Sequence, residues 1–126
     1  MTARLEHVNI AVPDPDATAA LLCELFGWHI RWQGPARGAG RSVHVGGEDD
    51  YLALYRPADT TLTDPERYVR QGGLNHIGLV VADLDATETR VTDAGFRTHS
   101  HADYAPGRRF YFDGPDGVEY EVVSYG

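Results

Sequence analysis

The sequence predicts an α+β fold in which two tandem βαβββ modules pair their half-sheets into one cup-shaped mixed sheet. Three observations predict it. Residues 5–18, LEHVNIAVPDPDAT, return as residues 74–87, LNHIGLVVADLDAT, with Leu, His, Val, Asp, Asp, Ala and Thr at matching places. After each copy comes a helical stretch that closes on glycine and an aromatic, Gly27-Trp28 and Gly95-Phe96. Each half then changes to strand-like alternation. A run repeated at a fixed offset is the mark of a duplicated structural unit. A unit of roughly 60 residues leaves one sheet face uncovered, and pairing two such faces buries it.

The elements follow in order. From His7 the first strand alternates, with Val8, Ile10 and Val12 on one face and His7, Asn9 and Ala11 on the other. The run Pro13-Asp14-Pro15-Asp16 breaks the strand and supplies helix-start chemistry, an aspartate at or near the N-cap. A helix over 17–26 carries Leu21, Leu22, Leu25 and Phe26 on one stripe, and Gly27 ends it. Strands are expected at 29–33, 41–45 and 51–55, separated by loops rich in glycine and acidic residues. The second half repeats the order: a strand over 75–81, a helix near 85–94, then strands over 97–101, 109–112 and 118–123, with a loop at 103–107. The predicted organisation is module one over 1–56, a polar linker over 57–73 with a short helix at 65–70, and module two over 74–126.

Composition limits the function. Among 126 residues the formal net charge is −8, which disfavours nucleic acid and anionic membrane as partners. The chain has no lysine, so Schiff-base chemistry on a lysine is excluded. The single cysteine, Cys23, has no internal partner for a disulfide and sits among apolar residues, as a buried helix position would. No signal-like segment opens the chain and no apolar run approaches membrane-spanning length, so a cytoplasmic location is expected.

Strand parity gathers chemistry on one face. In the first strands of the modules that face holds His7 with Asn9, and His76 with Gly78. In the last strand it holds Glu119 and Glu121, opposite Tyr120 and Val122; in the strand before, it holds Arg109 and Tyr111, opposite Phe110 and Phe112. Charged groups are rarely buried without a partner or an ion. Two imidazoles and one carboxylate form a 2-His-1-carboxylate set that leaves coordination positions open. Such ligands suit Mn, Fe, Zn, Co or Ni as divalent ions, and the sequence does not choose among them. Glu119, two residues from Glu121 on the same face, competes with it as the carboxylate ligand.

A histidine in the first strand of each module and a glutamate closing Arg109-Phe110-Tyr111-Phe112-Asp113-Gly114-Pro115-Asp116-Gly117-Val118-Glu119-Tyr120-Glu121 resemble the vicinal-oxygen-chelate superfamily over nearly the whole chain. That superfamily takes in glyoxalase I, fosfomycin-resistance proteins, extradiol dioxygenases and bleomycin-binding proteins. The resemblance implies a glyoxalase-like fold and metal ligation by His7, His76 and Glu121. It also implies a homodimer whose sites lie at the subunit interface. Ala53 stands where four-ligand members carry a glutamate, so the set resembles the three-ligand members. Tyr111 and Glu119 are the expected catalytic groups, and Asn9, Tyr51, Ala53, Tyr55 and Arg109 the expected substrate contacts. The implied activity is that of a metal-dependent lyase, isomerase, transferase or dioxygenase on a small oxygenated substrate. The alternative is a metal-free binding protein of the bleomycin-resistance type, with Trp28, Trp32, Tyr51 and Tyr55 lining a groove.

Overall fold

The computed structural model describes residues 2–59, 61, 64–104 and 107–126. Parts of the expected linker (Thr60, Leu62, Thr63) and of the expected 103–107 loop (Ala105, Pro106) lie outside the described residues. The chain divides into two compact units, Met1–Thr61 and Leu62–Gly126.

The first unit runs β1 (His7–Ala11), α1 (Pro15–Phe26), β2 (His29–Pro35), β3 (Arg41–Gly46) and β4 (Tyr51–Arg56). Its sheet has the order β1-β4-β3-β2, with β1 parallel to β4 and the other pairs antiparallel. The second unit runs β5 (Ile77–Val80), α2 (Leu84–Asp93), β6 (Thr98–Tyr104), β7 (Gly107–Asp113) and β8 (Glu119–Ser124), in the equivalent order β5-β8-β7-β6. Register confirms the duplication residue by residue. Asn9 pairs with Ala53 in β1–β4, and Gly78 pairs with Glu121 in β5–β8.

Local chemistry sets the helix ends. Asp14 accepts from the Ala17 amide at 3.1 Å, and Asp83 accepts from the Ala86 amide at 3.0 Å, each satisfying a first-turn donor. Pro15, whose missing N–H costs nothing there, places the start of α1 two residues ahead of the expected 17. Gly27 takes φ 70° and returns its amide to the Cys23 carbonyl at 3.0 Å, ending α1. Of the expected stripe, Leu22 and Leu25 are fully buried while Leu21 and Phe26 are half-buried. Pro15, Thr18 and Ala19 complete the covered face. Cys23 is half-buried, and burial pushes its thiol up from the ordinary value.

Each core lies between a helix and one sheet face. In the first unit Ile10, Val12, Val43, Val45, Leu52 and Leu54 join α1. In the second, Leu84, Val91, Phe110, Phe112, Tyr120 and Val122 are buried, with the Phe112 and Tyr120 rings stacked at 5.2 Å. The alternation read from the sequence holds in β7; in β1 Ile10 is buried but Val8 is 39% exposed, and in β8 Glu119 and Val123 are buried along with Tyr120 and Val122.

Three local expectations change. The 65–70 segment forms hydrogen-bonded turns instead of a short helix: Asp64 accepts from the Glu66 amide at 2.9 Å and also binds the Arg70 side chain, which favours a turn over helical continuation. The second-module strand begins at Ile77, not 75. Asn75 exchanges side-chain and backbone hydrogen bonds with Arg67, 3.1 and 3.3 Å, so the turn holds its polar groups before the ladder begins. The expected 103–107 loop is largely the end of a hairpin, since pairing between β6 and β7 continues to Asp103↔Arg108 and Tyr104↔Gly107.

Candidate metal centre

In the second unit, β7 and β8 send Phe110, Phe112, Tyr120 and Val122 into the core. Antiparallel register then sets Tyr111 opposite Glu121 and Arg109 opposite Val123 on the other face. Glu121 is the hub. Its Oε2 accepts from Arg109 Nη1 at 2.9 Å and from the Tyr111 hydroxyl at 3.1 Å. Its Oε1 lies 3.3 Å from His76 Nε2. The His76 ring meets Tyr111 edge-on at 5.5 Å. Burial, then the Glu121 carboxylate, pushes the Tyr111 phenol above its ordinary value, and the same carboxylate raises Arg109.

This geometry fits a metal ion. Two donors each about 2.1 Å from an ion, at tetrahedral to octahedral angles, stand about 3.0–3.4 Å apart. The 3.3 Å separation of His76 Nε2 and Glu121 Oε1 falls in that range. Both other donors use Oε2, so Oε1 is left to the imidazole. Gly78, the register partner of Glu121, places no side chain beside that oxygen; a Cβ there would stand 3.5 Å from Oε1. His76 Nδ1 is buried without a hydrogen-bond partner.

Glu119, the competing carboxylate, is held differently. Its Oε1 accepts from the Tyr68 hydroxyl and lies 3.5 Å from Arg67 Nη2. Burial and the neighbouring carboxylate push the Tyr68 phenol up to about 12. Arg67 and Tyr68 come from the segment read as linker. No periodicity marked them, because their partner lies 51 to 52 positions away in the chain.

In the first unit, His7 Nδ1 meets Glu6 Oε1 at 2.8 Å. The His7 hydrogen bond holds the Glu6 carboxyl below its ordinary value. A carboxylate only accepts, so Nδ1 carries the proton and Nε2 the lone pair. His7 stacks on Tyr51 at 4.9 Å, Tyr51 on His44 at 4.7 Å, and Trp32 leans on His44 at 5.0 Å. The Arg31 guanidinium lies over Tyr51. Burial lowers His44 below its ordinary value. The sequence does not single out Glu6 as a partner of His7 or His44 as a partner of Tyr51; strand parity on 41–45 is the available signal for His44. Asn9 is exposed, Tyr55 is half-buried, and Ala53 is 2% exposed between its register partners Asn9 and His44. The structure thus brings His76, Glu121, Tyr111 and Arg109 into one cluster and His7 with Tyr51 into another.

Residues 6–112 match the family model of the glyoxalase/bleomycin resistance protein/dioxygenase superfamily. No curated protein matches by sequence. Among solved structures, a glyoxylase/bleomycin resistance protein/dioxygenase domain from Frankia sp. EAN1pec is 20% identical, with a TM-score of 0.83 over 100% of both chains. A glyoxalase family protein from Enterococcus faecalis is 17% identical, with a TM-score of 0.78 over 95% of this chain and 96% of its own. A mutant of the fosfomycin resistance protein FosX from Listeria monocytogenes, complexed with Mn(II) and dihydroxypropylphosphonic acid, is 16% identical. Its TM-score is 0.74 over 98% of this chain and 93% of its own. At these identities the likeness is one of fold. No helix among the described residues is long and apolar enough to cross a membrane.

Proposed function

The chain belongs to the glyoxalase/bleomycin resistance protein/dioxygenase superfamily, and from that premise we propose that it is a divalent-metal-dependent enzyme acting on a small oxygenated substrate. His7, His76 and Glu121 are the ligands. The observation that carries this reading is the 3.3 Å approach of His76 Nε2 to the one Glu121 oxygen that Arg109 and Tyr111 leave open. The proposal includes a homodimer in which His7 of one subunit joins His76 and Glu121 of the other.

A bound divalent ion supplies Lewis acidity, polarising substrate oxygens at the positions that three protein ligands leave open. The remaining work falls to side chains. Arg109 and Tyr111 fix the Glu121 carboxylate, and Glu6 fixes the His7 tautomer, the outer-shell support that metal ligands usually need. With its phenol raised, Tyr111 stays protonated at neutral pH; its one proton goes to Glu121, and donating to charge on a substrate oxygen requires the hydroxyl to turn from that carboxylate. Glu119, braced by Tyr68 and Arg67, is a positioned carboxylate beside the centre and not one of its ligands. Asn9, Tyr51 and Tyr55 supply the substrate wall, and Ala53 leaves room where a fourth carboxylate would stand. Arg109 is committed to Glu121, so its substrate contact acts through that carboxylate.

Elemental analysis of native protein beside His76→Ala tests the reading. A divalent metal present in the first and missing from the second supports it; equal content in both refutes it. A second reading, a metal-free binding module, rests on Trp32. That residue is 48% exposed at the end of the aromatic row through His44 and Tyr51. Ligand quenching of tryptophan fluorescence that survives chelator would favour it.

A further inference from the structure

The β6–β7–β8 sheet carries a second group of metal-ligating side chains that shares no residue with His7, His76 and Glu121. Asp113 and Glu119 are direct cross-strand partners at the turn between β7 and β8. Like charges facing each other across a ladder repel unless a cation lies between them. His99 reaches the same spot from β6, with Nε2 3.6 Å from Asp113 Oδ2. One ligand atom from each of His99, Asp113 and Glu119 lies within 4.8 Å of the other two.

Three details fit these groups to a ligand. His99 Nε2 is buried with no hydrogen-bond partner. Its Nδ1 is 2.9 Å from Ser100 Oγ, which can accept the Nδ1 proton and leave the lone pair on Nε2. Ser100 has φ 56°, an uncommon backbone for a residue other than glycine, at the register shift between His99 and Ala102. Bulges of this kind re-aim side chains next to functional sites. Finally, among the described residues Tyr68 and Arg67 both bind Glu119 through Oε1, and no hydrogen bond engages Oε2. Two of the three, His99 and Asp113, line a cleft of about 350 Å³ together with Arg97, which gives water and ions access from the Asp113 side. Arg97 makes no ion pair with either carboxylate.

We infer that His99, Asp113 and Glu119 form a second divalent-cation site, open to water on one side, on the sheet face that also carries Glu121. One imidazole and two carboxylates suit a borderline ion such as zinc. Donors around such an ion stand about 3–4 Å apart, and His99 Nε2 and Asp113 Oδ2 already do, at 3.6 Å.

Zinc titration by equilibrium dialysis with elemental analysis tests the site. Wild-type protein is expected to saturate at two zinc ions per chain. His99→Ala and Asp113→Asn are each expected to lose one and keep the other, while Glu121→Gln loses the other and keeps this one. The Asp113 side chain is 63% exposed, so Asp113→Asn removes a ligand without disturbing the core. Wild-type stoichiometry in both His99→Ala and Asp113→Asn overturns the inference. If Glu121→Gln changes nothing while His99→Ala removes an ion, the proposed function fails and this site stands.

Discussion

Replacing Tyr111 by phenylalanine removes one hydroxyl from the face that carries Glu121 and leaves the ring in place. The hydroxyl donates to Glu121 Oε2 at 3.1 Å, and a hydrogen bond to a charged group is worth about 1.5–3 kcal/mol when buried. Arg109 still donates to the same oxygen at 2.9 Å, and Tyr111 is only half-buried. Both reduce the loss to about 1 kcal/mol. For a chain of this size that is a fall of about 4 °C in Tm, read by circular dichroism without metal. The larger effect falls on the ion. Groups that orient a metal ligand are worth about 10–100-fold in affinity, so zinc binding, measured by competition with a chromophoric chelator, should weaken by that factor. The pH dependence has a definite sign. Burial and Glu121 raise the folded-state phenol above its unfolded value, so its contribution is complete below about pH 10. The contribution is lost as pH climbs through the raised value, and the stability gap between wild type and Tyr111→Phe should narrow there. Unchanged zinc affinity in Tyr111→Phe would refute the view that this hydroxyl holds Glu121 for an ion.

Other perturbations probe the surroundings. Phe112→Ala empties a fully buried position stacked on Tyr120 and should cost about 3–5 kcal/mol, measured by urea denaturation. Asp14→Ala and Asp83→Ala each remove a helix cap and should each cost about 1 kcal/mol in the same assay. Tyr68, pushed up to about 12, should make wild-type stability decline between about pH 10 and that value. Tyr68→Phe should flatten the decline, and an identical pH profile in the two proteins would contradict the Tyr68–Glu119 contact.

The fold was legible because duplication writes the same instructions twice. The LEHVNIAVPDPDAT and LNHIGLVVADLDAT segments each encode a strand, a capped turn and a helix start, all short-range features. Alternation over Arg109–Phe112 and Tyr120–Val122 likewise marks the side chains that enter the core. Parity alone could not rank Glu119 against Glu121, which share that face. The difference lies in partners supplied from elsewhere: Tyr68 and Arg67 for one, Arg109, Tyr111 and His76 for the other. Tyr68 and Arg67 act through tertiary contact and sit in a segment without strand or helix period, so nothing local marked them. The Ser100 bulge was hidden for a related reason. Positive φ usually announces itself as glycine or asparagine, and here it falls on a serine between two histidines.

A crystal structure of the zinc-loaded protein, with anomalous diffraction recorded across the zinc edge, tests the central claim most directly. The account predicts a peak about 2.1 Å from His76 Nε2 and Glu121 Oε1, with His7 of the partner subunit completing the set. A map with zinc bound elsewhere and none between His76 and Glu121 would contradict it.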